Sequence, residues 1–307
     1  MSSTNELLSR IEPPQRRVIR DRHRDSTQWD NIRPRPNDIV IASCYKSGTT
    51  LTQQIVNLLV NGTQHFDRMQ TLSPWIDSLY LHIGAEKVEA LPSPRFLKSH
   101  LPFEALPYYP QWRYIYLVRD GRDVCVSLFD HNQQLKRHRP FDAEGKPFEY
   151  GSDDFSTFWD EWIETGYPNW PLWDHIDSWW KVRHFPNVLL LHFNEITHDK
   201  PVQIRKIANF LGLEWSPEIS EMVCRHSSLE HMQELERAGK LGKPVPKAEA
   251  TFINKGSNGR WRGRLNDAQV EKYLALLHQR LEPECANWVR FDADGVAKSS
   301  SFDRGTE

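Results

Sequence analysis

Residues Asp38 to Gly62, DIVIASCYKSGTTLTQQIVNLLVNG, constrain the fold more than any other stretch, because they read as a buried strand, a short polar turn and a helix in succession. The run from Asp38 to Ser43 is rich in Ile and Val. From Leu51 the apolar positions Leu51, Ile55, Leu58 and Leu59 fall on one helix face, and Gly62 is placed to end that helix. The turn between them, Tyr45-Lys46-Ser47-Gly48-Thr49-Thr50, sets a glycine, hydroxyls and a lysine at a helix N-terminus. Unpaired N–H groups, the positive end of a helix dipole and a mobile cation together suit a phosphate. An ordinary helix start, with Ser and Thr as caps and Lys46 solvated, is the other reading of these residues alone.

Composition narrows the setting. A chain of 307 residues is long enough for one large α/β domain with a real core. The formal net charge of −2 gives no global pull toward nucleic acid or anionic membrane, so an anion site must be built locally. Cys44, Cys125, Cys224 and Cys285 are scattered with no Cys-x-x-Cys pair, which argues against a disulfide framework and a zinc site. No apolar run approaches the roughly 18 residues of a spanning helix, and Met1 to Arg20 lacks an apolar signal core. A cytoplasmic protein with no membrane span is expected. Twelve tryptophans exceed what a core usually needs and permit an aromatic-lined pocket. Residues 1–36, polar and Pro-rich, read as a flexible lead-in, 37–291 as the domain and 292–307 as a disordered tail.

Three further strands follow. Arg95-Phe96-Leu97-Lys98-Ser99-His100 is extended and stops at Leu101-Pro102, and alternation puts Phe96, Lys98 and His100 on one side. Lone histidines are mostly structural, but this one shares a face with a lysine at a strand end, where ligands of α/β sheets collect. Tyr114 to Val118 runs into Arg119-Asp-Gly-Arg-Asp and a helix containing Ser127. Arginine at a strand end with a serine two helical turns on can bracket one phosphate, although Arg119 alone reads as an ion-pair partner for Asp120 or Asp123. The apolar run Val188 to Phe193 reads as a central parallel strand, with Trp179-Trp180 before it as core. Gln64 to Leu91 reads as helical or as a lid, and Asn132 to Gly166 as a long loop and then a short helix. Helices are expected at Val202 to Leu211, ended by Gly212, and at Asp267 to Leu281. Arg237 to Arg264 is strongly basic, with Glu249 its only acid; most such runs are solvated loops.

A Walker A loop requires Gly-x-x-x-x-Gly-Lys-Ser/Thr, and here Ala42 and Lys46-Ser47-Gly48 break that pattern. The lysine-first turn between strand and helix resembles instead the 5′-phosphosulfate loop of the sulfotransferases that use 3′-phosphoadenosine 5′-phosphosulfate (PAPS). Three more boxes resemble that family in its order: Lys98-Ser99-His100-Leu101-Pro102, Arg119 with Ser127, and Phe252 to Trp261 with its glycines Gly256 and Gly259. Arg225 to Met232 resembles the segment beside the adenine. The sequence departs from the family at Leu51, where a stacking Trp is usual, at Phe193 for Tyr, at Ser99 for Thr and at Asn254 for Arg. The C-terminal dimer motif survives only as Arg262, Asn266, Asp267 and Glu271, which leaves the oligomeric state open.

The resemblance, to the cytosolic type and as a bacterial member, implies an α/β single domain with a central parallel sheet flanked by helices, the P-loop-kinase-like sulfotransferase fold. It implies His100 as general base, Lys46 on the leaving oxygens and Lys98 on the sulfuryl group. It places Ser47, Gly48, Thr49 and Thr50 on the 5′-phosphate, Leu51, Ser227 and Leu229 by the adenine, and Arg119, Ser127, Asn254, Lys255 and Gly256 around the 3′-phosphate. PAPS is then co-substrate, adenosine 3′,5′-bisphosphate the product, a small molecule the acceptor, and no metal is called for. The alternatives are a Mg-dependent nucleotide phosphotransferase and a catalytically inactive PAPS-binding protein.

Overall fold

A computed structural model of the chain describes residues 12–63, 65–81, 83–138, 146–241, 253 and 256–290. Its centre is a sheet of β1 (Ile39–Ser43), β2 (Phe96–Ser99), β3 (Arg113–Val118) and β4 (Val188–His192), all parallel, in the order β2-β1-β3-β4. These are the four strands expected from the apolar runs, with ends moved by a residue or two. At β4 the strand stops at His192, whose ring caps the next helix, so Phe193 opens that helix and does not belong to the strand.

Both sheet faces are covered, as parallel strands require. Ile39, Ile41, Phe96, Ile115, Leu117 and Leu191 point to one side. There they meet Ile55, Val56 and Leu58 of α1 (Thr49–Asn61) and Ile204 and Ile207 of α6 (Lys200–Leu211), with α7 (Pro217–His226) adding Val223. The alternate residues Val40, Ala42, Leu97, Tyr114, Tyr116 and Val118 face the larger, aromatic core. That core takes side chains from α2 (Gly121–His138), α3 (Phe155–Thr165), α4 (Leu172–Trp180), α9 (Asp267–Arg280) and α10 (Pro283–Arg290). The short α5 (Phe193–His198) adds Ile196 to the smaller core, and α8 (Leu229–Arg237) follows α7. Gly62 and Gly212 end α1 and α6 in the left-handed conformation, as placed from sequence.

Three expectations change. Residues 19–32 are not a loose lead-in: Trp29 is 2% exposed, Arg24 is buried, and Ser26–Asn31 forms a 3-10 turn packed on the aromatic core. An indole can withdraw from water wherever a neighbouring cleft admits it, and the polar residues around it hid that one. The insertion Asn132 to Gly166 begins as helix, because α2 runs on to His138. Helices α7, α8 and α10 had no counterpart in the sequence reading; each is short, and two begin with Ser caps that the reading passed over. The tail from residue 291 lies outside the described residues.

The strand order reverses beside β1, since the chain goes first to β2 on one side and then to β3 on the other. Ligands of open α/β sheets sit outside the carboxyl ends of the strands at such a reversal. At the opposite edge, Asp38 before β1 and Arg95 before β2 form an ion pair with both side chains fully buried, and Arg95 Nε donates to Asp38 Oδ1 at 3.0 Å. Arg95 also donates to Glu89 and to the Arg33 carbonyl. Removing one partner of a buried pair leaves an uncompensated charge, so Arg95→Met should cost about 3–5 kcal/mol in urea unfolding. Arg95→Met with Asp38→Asn should recover much of that loss; a double variant as unstable as the single one would show that the pair is not what holds the two strand starts.

Candidate active site

Because all four strands are parallel, the turn after β1, His100 after β2, Arg119 after β3 and Phe193 after β4 emerge at one edge. The turn takes its shape from two residues with positive φ, Lys46 at 50° and Gly48 at 96°. Glycine is required at 48 for a second reason: a Cβ there would meet Phe193 Cδ2 at 2.4 Å. The hydroxyls do not cap the helix. Ser47 donates to the Tyr45 carbonyl at 2.9 Å, Thr49 Oγ1 pairs with Ser43 Oγ at 2.6 Å, and α1 begins without a side-chain cap. The ordinary-cap reading is thereby excluded, and the first turn of α1 presents its amide end to the edge. Leu51, on that first turn, is half-buried against the smaller core.

Three cations converge here. Burial, then the charges of Arg119 and Lys98, push the Lys46 amine down to about 7 against the partial opposition of Glu236 and Asp130. Burial lowers Lys98 to about 8, with Asp77 opposing. Burial also lowers Arg119, whose guanidinium donates to the Lys46 carbonyl at 3.4 Å and to the Ser257 carbonyl at 3.1 Å, and lies 4.5 Å from the centre of the Phe193 ring. Its Nε is buried with no hydrogen-bond partner among the described residues. Asp120, a partner expected for Arg119, is instead taken by Arg122 at 2.6 Å, while Asp123 stands 3.9 Å from Arg119. A lysine depressed by two neighbouring cations favours an anion between them.

His100 completes the edge. Its Nδ1 lies 2.8 Å from the Ser43 carbonyl, which only accepts, so Nδ1 carries the proton and Nε2 keeps a lone pair. Burial first, then Lys98, push this imidazole well below its ordinary value, so it is neutral at physiological pH. The ring packs edge-on against Trp75 at 4.7 Å, and the Lys98 amine lies 4.7 Å from the centre of the same indole. Arg24 donates to the His100 carbonyl at 2.9 Å while stacking on Trp170 at 3.8 Å.

The remaining expected residues divide. Leu229 and Gly256 are adjacent, a Cβ on the glycine falling 3.0 Å from Leu229 Cδ1, and Ser257 ties this segment to Arg119. Gly259 N–H donates to Asp123 at 2.7 Å beside a cleft of about 360 Å³ that Gly256, Ser257 and Asp123 help to line. Ser227 is buried and its hydroxyl donates to the Val223 carbonyl, so its side chain serves its own helix. Ser127 is half-buried on α2. Asn254 and Lys255 lie outside the described residues. Sequence reasoning missed Arg24, Trp75, Asp77 and Trp170. It also missed His131, one turn beyond Ser127, which burial and the charges of Lys46 and Lys98 hold in the neutral form. Among the described residues, no group of three or more His, Cys, Asp or Glu is placed to hold a metal ion, and no helix is long and apolar enough to cross a membrane.

Comparison with known proteins gives one consistent result. A family model described as "Sulfotransferase domain" matches residues 36–283. Sulfotransferase 1B1 of Canis lupus familiaris is 29% identical over 276 residues, covering 83% of this chain and 88% of the relative. Sulfotransferase 1C2 of Homo sapiens is 27% identical, covering 85% and 89%. Among solved structures, retinol dehydratase in a complex with retinol and PAP superposes with a TM-score of 0.70 at 25% identity over 84% of this chain and 85% of that one. Mouse sulfotransferase SULT7A1 complexed with PAP gives 0.68 at 19% identity over 87% and 92%.

Proposed function

The chain belongs to the sulfotransferase domain family, and from that premise we propose that it moves a sulfuryl group from PAPS to a hydroxyl or amine of a small apolar or aromatic acceptor, with His100 as general base. The observation that carries this is the meeting of Lys46, Lys98, Arg119 and a neutral, Nε2-open His100 at one sheet edge. The donor fits what stands there: an uncapped helix start for the 5′-phosphate, and, for the 3′-phosphate, an Arg119 Nε beside Ser257 that has no partner among the described residues.

Each residue then has a distinct part. His100 Nε2 takes the acceptor's proton as the new oxygen–sulfur or nitrogen–sulfur bond forms. Lys98 meets charge on the sulfuryl oxygens, and Lys46 meets the charge that grows on the leaving phosphate oxygen as its bond to sulfur breaks. Anion binding raises both lysines, so they are charged when they act although their unliganded values lie near 7 and 8. Lys255, Ser127 and Gly256 belong to the same proposal for the 3′-phosphate, and Leu51 with Leu229 for the adenine. The acceptor side is read from aromatic neighbours: beyond Trp75 and Trp170, His23 lies 5.6 Å from Phe148 and 6.3 Å from Trp170, and Tyr80 lies 5.2 Å from Phe148. Retinol and androsterone occupy retinol dehydratase structures, which agrees with an apolar acceptor here. A cytoplasmic location belongs to this reading, in keeping with four free cysteines.

Thermal unfolding without metal tests the donor site. Adenosine 3′,5′-bisphosphate at about 100 Kd should add about 2.7 kcal/mol and raise Tm by several degrees. AMP and ATP at equal concentration should do much less, and Arg119→Ala should erase the difference. Equal shifts from AMP and the bisphosphate, or a shift that needs Mg²⁺ and ATP, would sink the reading. Turnover against a panel of phenols, alcohols and amines tests the base: His100→Ala should lower kcat by about 10²- to 10⁴-fold with bisphosphate affinity within a few-fold. Near wild-type turnover would remove His100 from its role.

A further inference from the structure

Asp77 has no part in the chemistry above, yet four donors converge on its fully buried carboxylate. Oδ1 accepts from the Ser99 hydroxyl at 2.6 Å and from the Trp29 indole at 3.2 Å. Oδ2 accepts from the Trp75 indole at 2.8 Å and from the His100 N–H at 3.3 Å. Three of these groups can only donate, and the fourth, Ser99, already accepts the Leu101 N–H, so both oxygens of the carboxylate are held as acceptors. The donors come from three separate stretches. Trp29 belongs to the N-terminal turn, Trp75 to the segment after the short helix Met69–Leu72, and Ser99 and His100 to the end of β2.

The same segment is tied to β2 through the backbone. Lys98 N–H donates to the Pro74 carbonyl at 2.8 Å, and Ile76 N–H donates to the Lys98 carbonyl at 3.1 Å. Trp75 therefore stands beside the strand end with its indole against both the Lys98 amine and the His100 ring. We propose that Asp77 is the positioning residue of the acceptor side: by gripping the Ser99 hydroxyl, the His100 N–H and the Trp75 indole together, it turns Lys98 and His100 toward one reacting group. This rests on the roles proposed for Lys98 and His100.

The charge of Asp77 adds a signature that a purely structural residue lacks. Lys98 acts on Lys46 and His131, and Asp77 is the anion that favours its ammonium form. His100 is opposed in its charged form by Lys98, His175 and Arg24. Without the Asp77 charge, Lys98 loses its proton at lower pH, while over the range where His100 titrates Lys98 keeps its charge. The alkaline limb of the rate profile moves down and the acid limb stays in place.

The test compares Asp77→Asn, Ser99→Ala and Trp29→Phe with the wild type, using PAPS and the panel acceptor that the wild type turns over fastest. Asp77→Asn should lose about 10²-fold in kcat near neutral pH, keep its affinity for adenosine 3′,5′-bisphosphate within a few-fold, and show the alkaline limb moved down with the acid limb in place. Ser99→Ala, which loosens the grip but leaves the charge, should lose about ten-fold in kcat with both limbs in place. Trp29→Phe removes a donor from the same carboxylate and should leave the limbs and kcat near those of the wild type. Wild-type kcat and limbs in Asp77→Asn, or equal losses in Asp77→Asn and Trp29→Phe with unmoved limbs, would overturn the proposal. If Asp77→Asn does not fold, Ser99→Ala decides: near wild-type kcat overturns it. A wild type that neither binds the bisphosphate nor transfers from PAPS to any panel member brings down the sulfotransfer reading and this proposal with it, an outcome distinct from the others.

Discussion

Repulsion of the Lys46 ammonium by Arg119 and Lys98 is the constraint around which the rest is arranged. Each is held where burial already disfavours its charge, and Lys98 adds to the penalty on both Lys46 and His100. Only a rigid frame can keep such groups together without an anion. The frame is a set of parallel strand ends. The Phe193 ring fills the space against Gly48 and under the Arg119 guanidinium, and a side chain at 48 would displace it. The cost appears in pH dependence. For Lys46 the folded value of about 7 lies below its ordinary 10.5, so between those two values the unfolded chain binds more protons and this group's contribution to stability rises with pH. At neutral pH the unliganded fold is therefore working against part of its own binding site.

Much of this was legible in the sequence because the carriers are local patterns. Val40, Ile41, Tyr114 to Val118 and Val188 to Leu191 are short apolar runs between polar turns, and a parallel sheet buried on both faces produces such runs. The Lys46 turn was legible because a lysine, a glycine and hydroxyls sit between a strand and a helix. Its discriminating detail, hydroxyls turned inward so that the helix start is uncapped, depends on Ser43 and on backbone angles that no composition reveals.

The residues that support His100 were illegible for a different reason. Arg24 reaches the His100 carbonyl from 76 positions away and Asp77 reaches its N–H from 23, and neither lies in a periodic stretch. Arg24 sat in a segment that looked too polar to pack, although Trp29 anchors it. The surplus of tryptophans was a usable hint, since Trp75 and Trp170 flank His100, but composition could not separate them from Trp112, Trp159 and Trp179, which are buried core. His131 gave no signal at all, because one histidine on a long helix is distinguished only by what the turn after β1 and the end of β2 bring near it.

An edge where Lys46 is repelled by neighbouring cations should gain protons when an anion binds, and proton linkage measures that directly. Near pH 8 both lysines of the unliganded protein are at least half deprotonated, given values of about 7 for Lys46 and about 8 for Lys98. Titration calorimetry of adenosine 3′,5′-bisphosphate near that pH, repeated in two buffers of different ionisation enthalpy, reads the protons exchanged on binding. A net uptake of about one proton is expected, reduced in Lys46→Met. Binding with no proton exchange, or with net release, would contradict it.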